Sequence, residues 1–142
     1  MRQIVLDTNV LVAGLRSNAG ASYQLLQRVG SRGAGFEINL SVPLVLEYEM
    51  ALSRDEEIDA ELIEPVLSYL CKVGRHREIY FLWRPFLRDP ADEMVLEVAV
   101  ESRAEVIVTH DGRDFEGVEE AFGIRVETPR EFLLSLREEE TS

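Results

Sequence analysis

The stretch Gln3–Val12, QIVLDTNVLV, decides the fold. Gln3–Leu6 read as a strand, a carboxylate follows at Asp7, and apolar residues resume at once in Val10, Leu11 and Val12. A strand buried on both faces reads as a near-continuous apolar run. A charge at its end is either the cap of a following helix or a strand tip that holds something positive.

The same grammar continues outward from this stretch. Apolar, β-branched runs recur at Phe36–Leu40, Glu78–Leu82, Glu105–Val108 and Ile124–Val126. Helical patterns lie between them: Val10–Arg16, Ser22–Val29, Leu44–Ser53 behind Pro43, Asp59–Val73, Ala91–Ser102 behind Pro90, and Pro129–Arg137. In Asp59–Val73 the apolar positions Leu62, Ile63, Val66, Leu67 and Leu70 follow a 3.6-residue period. Strands alternating with helices predict a mostly parallel sheet covered on both faces, an α/β fold. The stretch GSRGAG (Gly30–Gly35) reads as a tight helix-to-strand turn rather than a domain boundary. One domain over residues 1–142 is expected, with the charged end at 138–142 frayed.

Composition narrows the function. The 142 residues carry 15 basic and 27 acidic side chains, a net charge of −12. That argues against binding nucleic acid through overall charge, but leaves room for a local basic rim. Fourteen of the 15 basic residues are Arg, with Lys72 alone as Lys, and Arg suits bidentate phosphate contact. No apolar run approaches the ~18 residues of a membrane helix, and the chain enters a strand at once, which predicts no signal peptide, no membrane association and a cytoplasmic protein. The single cysteine, Cys71, has no partner for a disulfide or zinc site and reads as an ordinary buried thiol.

Acidic residues gather where an open parallel sheet binds ligands, beyond the carboxyl ends of its strands. Asp7 ends the first strand. Thr109 and Asp111 follow the strand EVIV, with Asp114 three residues on, so neighbouring strands would put all three acids in one crevice. Helix starts add Glu47, in PLVLEYE, and Asp92, in RDPADEMVLEVAV. Carboxylates crowded together raise one another's pKa, and a hard divalent cation such as Mg²⁺ or Mn²⁺, which prefers oxygen ligands, relieves this. Such a site activates water and stabilises charge on a phosphodiester. Plainer readings exist for each residue. Asp89 before Pro90 reads as a helix N-cap, Asp92 falls where an acid closes a capping box, and Asp111 with Asp114 could form an Asx-turn. Of Glu47 and Glu49, two residues apart, at most one faces the site. His110 reads as a loop residue.

Taken together, VLDTNVLV, PLVLEYE, DPADEMVLEVA and VIVTHDGRDF make the sequence resemble the PIN-domain ribonucleases, over nearly the whole chain. The group it resembles is the VapC-like toxins of toxin–antitoxin pairs. The resemblance implies a three-layer α/β/α sandwich with strand order 3-2-1-4-5 and cleavage of RNA dependent on Mg²⁺ or Mn²⁺. It implies catalytic acids Asp7, Glu47, Asp92 and Asp111, with Asp114 as an accessory metal ligand beside Asp7, Asp92 and Asp111. Thr8, Asn9 and Thr109 would orient carboxylates or metal-bound water. Arg16 and Arg113 are candidate substrate contacts. An antitoxin protein is the implied partner, and the Asp59–Val73 helix is expected to project as a clip or homodimer surface.

Two other functions compete. Phosphatases and phosphotransfer domains also place an Asp at the end of the first strand. Here the second acid of the phosphatase pattern is replaced by Asn9, and a receiver domain's late Lys has no counterpart. A non-catalytic nucleic-acid-binding or scaffold module of the same fold is the remaining alternative, opposed by the intact acid set.

Overall fold

A computed structural model of the protein describes residues 1–141. Five strands, β1 (Arg2–Leu6), β2 (Phe36–Leu40), β3 (Arg75–His76), β4 (Val106–Val108) and β5 (Arg125–Glu127), form one sheet in the order β3-β2-β1-β4-β5. Every neighbouring pair is parallel. Seven helices connect and cover them: α1 (Thr8–Arg16), α2 (Ala21–Arg28), α3 (Val42–Arg54), α4 (Ala60–Val73), α5 (Pro90–Ser102), α6 (Val118–Phe122) and α7 (Pro129–Thr141). The result is the three-layer α/β/α sandwich with the order the sequence implied.

Burial explains the composition of the strands. Ile4, Val5 and Leu6 of β1 and Val106, Ile107 and Val108 of β4 are at most 1% exposed, as residues covered on both faces must be. The strand order reverses at β1: β2 and β3 lie on one side, β4 and β5 on the other. The β1/β4 boundary is therefore the switch point where such sheets open a crevice. The Gly30–Gly35 turn falls where expected, and Gly30, Gly33 and Gly35 all adopt positive φ (75°, 76° and 85°), a conformation that costs glycine little.

Three expectations change. The strand sought at Glu78–Leu82 is absent; β3 is the two-residue Arg75–His76 instead. Strand β2 ends at Leu40, because Ser41 already caps α3 by accepting from Leu44 N. The last bond of the edge, Arg77 N to Leu40 O at 2.7 Å, leaves later residues without a partner. Residues 77–89 instead form an irregular strap. Helix α4 does not project. Its buried Ile63, Leu67 and Leu70 pack it on α3 and β2, although Leu62 and Tyr69 stay exposed. Of the charged end at 138–142, residues 138–141 belong to α7 and Ser142 lies outside the described residues. Helix α7 opens on a capping box between Thr128 and Glu131, and Glu139 and Glu140 pair with Arg2 and Arg28. Cys71 is half-buried rather than buried. No helix among the described residues is long and apolar enough to cross a membrane.

Candidate active site

The register of β1 against β4 sets Leu6 beside Val108, so the next residues, Asp7 and Thr109, leave the sheet side by side. Asp7 N donates to Val108 O at 2.9 Å, completing the ladder. Asp7 is also the N-cap of α1, with φ −69° and ψ 152°, and its Oδ1 accepts from Thr8 N at 2.8 Å. Asp7 is thus both the end of the β1 ladder and the cap of α1. Its second oxygen, Oδ2, accepts from Thr109 Oγ1 at 2.8 Å. Thr109 Oγ1 in turn accepts from Asp111 N at 3.0 Å and Asn9 Nδ2 at 3.3 Å, while Asn9 Oδ1 accepts from His110 N at 3.2 Å. The DTN and THD motifs are thus one hydrogen-bonded unit. The Thr8 hydroxyl lies outside it: Thr8 Oγ1 is buried with no partner among the described residues.

Two more elements bring acids to this unit. After Asp111 the chain makes a 3-10 turn, Gly112–Phe115, anchored by buried Phe115. Three residues per turn eclipse positions i and i+3, which puts Asp114 on the same side as Asp111. Helix α5 supplies Asp92, 7% exposed, from its first turn. Its cap is Asp89, which accepts from Ala91 N at 2.9 Å, and acids there are favoured by the helix dipole. Asp89, Asp92, Asp111 and Asp114 line a cavity of about 630 Å³, rimmed by Phe86, Arg88 and Arg113.

The acids feel one another. Burial pushes Asp7 from 3.8 up to about 6, against the lowering effect of its bonds from Thr109 and Thr8, with Asp114 and Asp111 pushing the same way as burial. Asp92 rises from 3.8 to about 7, first through burial and then through the charges of Asp7, Asp114, Asp89 and Asp111. Asp114 is raised by burial and then by Asp111. On both Asp7 and Asp92 the charge of Asp114 acts more strongly than that of Asp111.

Not every expected residue joins. Glu47 is half-buried on α3 and does not line the cavity. Its neighbour Tyr48 reaches inward, donating its hydroxyl to Leu6 O. Arg16 turns away, bound to Asp55 at 2.6 Å and near Glu57 at 3.7 Å. His110 is no isolated loop residue, since its Nε2 lies 2.6 Å from Ser22 Oγ. Two residues escaped the sequence reading. Glu93 Oε1 accepts from Phe86 N and Leu87 N, both at 2.8 Å. Glu97, 4% exposed, holds Arg84 in two bonds of 2.8 and 3.0 Å. These glutamates, one turn apart on α5, clip the strap beside the cavity. Their signal in the sequence was a pair of acids four apart, Glu93 and Glu97, set among the apolar residues Met94–Leu96 and Val98–Val100.

The donor set suits a hard cation. Among the described residues no three His, Cys, Asp or Glu side chains group tightly enough to hold an ion by themselves. Mg²⁺ keeps several waters and typically takes only one or two carboxylates plus substrate phosphate. The carboxylates raised by burial and then by one another's charge, and the orphaned Thr8 hydroxyl, fit such a hydrated ion.

A family model described as the PIN domain matches residues 3–113. Among solved structures, the chain is similar to a chain in the crystal structure of VapBC2 from Rickettsia felis bound to a DNA fragment from their promoter. The TM-score is 0.60 at 14% identity, over 89% of this chain and 98% of that one, a likeness of fold. No curated protein matches.

Proposed function

The chain belongs to the PIN domain family, and on that premise we propose that it is a Mg²⁺- or Mn²⁺-dependent endoribonuclease, the toxin of a toxin–antitoxin pair. The observation that carries the reading is the set of coupled carboxylates at the carboxyl edge of β1 and β4, with Asp7 raised to about 6 and Asp92 to about 7. Clustered acids with elevated proton affinity are a mark of functional sites.

In this reading Asp7, Asp92 and Asp114 hold the metal, with Asp111 beside them; the stronger action of Asp114 on the other two favours it as the closer ligand. The bound ion supplies charge neutralisation at the phosphodiester and a more acidic water. Thr109 fixes the Asp7 carboxylate through the bond to Oδ2, and Asn9 fixes Thr109. The free Thr8 Oγ1 orients water. Arg113, on the rim, contacts the phosphate.

The VapBC2 likeness supports an antitoxin partner. The exposed stripe Val42, Leu46 and Met50 on α3 supports a homodimer through that helix rather than through α4.

The test is cleavage of single-stranded RNA by the wild-type chain and by Asp92→Asn, with Mn²⁺, Mg²⁺ or EDTA. The expected result is metal-dependent cleavage that the variant loses by several orders of magnitude. Cleavage that persists in EDTA, or in the variant, overturns the assignment.

A further inference from the structure

The strap raises a question that the acid cluster does not answer. Tyr80, Phe81 and Leu82 are about 70% exposed, and Trp83 and Phe86 remain 44% and 40% exposed. Large apolar side chains gathered on one surface mark an interaction site. The rings form a track. Phe86 lies on the cavity rim and meets Phe122 at 5.2 Å; Phe122 meets Trp83 at 5.4 Å; Trp83 meets Phe81 at 6.2 Å. No pair is stacked face to face, the contacts being edge-on or tilted.

Charge accompanies the track. Arg88 and Arg113 rim the same cavity, and the side chains of both lack a hydrogen bond or ion pair among the described residues, in a chain of net charge −12. Unpaired guanidinium groups among so many acids suit an anionic ligand. Exposed aromatic rings leading to two guanidinium groups, which share the cavity with Asp89, Asp92, Asp111, Asp114 and Glu116, are elements of single-strand recognition, in which bases stack and cationic side chains meet the backbone. The clips from Glu93 and Glu97 hold the strap in place beforehand, which lowers the ordering cost of binding.

We propose that the strap is a stacking platform for single-stranded RNA, with bases on Phe86, Trp83 and Phe81 and the phosphate that enters the cavity held by Arg88 and Arg113. This rests on the nuclease reading and gives it a direction: the strand arrives along the strap.

Trp83 is the only tryptophan in the chain, so its emission reports the platform directly. The experiment is titration of the full chain with a fluorescein-labelled oligouridylate in millimolar Ca²⁺, following Trp83 emission and RNA anisotropy together, with duplex RNA as control. Saturable quenching by the single strand and not by the duplex is expected. Phe86→Ala should weaken binding roughly 5- to 100-fold, and Phe81→Ser, at a largely exposed position, should weaken it without lowering the melting temperature. RNA binding with unchanged Trp83 emission overturns the platform but leaves the nuclease standing, as does cleavage by Phe86→Ala with wild-type KM. Absence of both binding and cleavage overturns both. Emission that responds to protein concentration and not to RNA reassigns the track to a protein contact.

Discussion

Replacing Asp7 by asparagine should make the metal-free protein more stable at neutral pH while abolishing its activity. The Asp7 carboxyl holds its proton to about pH 6 in the folded chain against 3.8 ordinarily. Between those values the folded state binds more protons than the unfolded chain, so stability falls as pH rises through that window. A shift of about two units at 1.36 kcal/mol each removes about 3 kcal/mol by pH 7. Asparagine keeps the cap on α1, being as good an N-cap as aspartate. It disturbs the bond from Thr109, whose hydroxyl already accepts from two N–H groups, at a cost of about 1 kcal/mol. The net gain is about 2 kcal/mol, or roughly 4–10 °C in melting temperature for a domain of this size. The assay is thermal melting of both proteins in EDTA from pH 4 to 8. The gap should be widest above pH 7 and close by pH 4. A variant that melts below wild type at pH 7.5, or a gap that does not vary with pH, would refute a buried, crowded carboxylate at the strand tip.

Millimolar Mn²⁺ should raise the melting temperature of the wild-type chain, by about 2.7 kcal/mol of stability at a hundred times Kd, and much less for Asp7→Asn; equal shifts in the two would remove Asp7 from the metal. Glu93→Ala strands two backbone N–H groups and should lower stability by roughly 2–5 kcal/mol in urea unfolding, with faster tryptic cutting at Arg88. An unchanged cutting rate would mean the strap is held by other contacts. Asp89→Asn should leave stability within about 0.5 kcal/mol and cleavage nearly intact, while the NMR titration of Asp92 moves down, since the Asp89 charge contributes to its elevation. Light scattering should give the mass of a dimer that Leu46→Arg splits; a monomer at high concentration would dispose of the α3 face.

Some of these features were written locally and some were not. Strands β1, β2 and β4 could be read because each is a short run whose apolar side chains are covered in place, and β5 because buried Ile124 and half-buried Val126 mark it beside charged neighbours. The third could not. Whether Glu78–Leu82 pairs depends on β2 still running beside it, and β2 ends where Ser41 caps α3. The acids at the strand tips were legible for the same reason as the strands: an interruption of an apolar run has position and sign. Arg16 misled because its partner, Asp55, is 39 positions away, and nothing in TNVLVAGLR announces it. Glu93 and Glu97 were hidden because their partners, Arg84, Phe86 and Leu87, lie in an irregular segment just past the expected strand, where no pattern places a side chain or a backbone N–H.

The bond between Thr109 and Asp7 joins positions 102 apart, and this gives the site a place in time. A ribosome releases Asp7 102 residues before Thr109. Until then β1 has β2 to pair with but lacks the neighbour that completes its other side, and Asp7 has neither its hydroxyl donor nor the 3-10 turn that brings Asp114. Pairings of such long sequence separation form slowly. A nascent chain stalled between them therefore carries the first acid without the last, and the acid cluster comes into being only once Asp114 has followed.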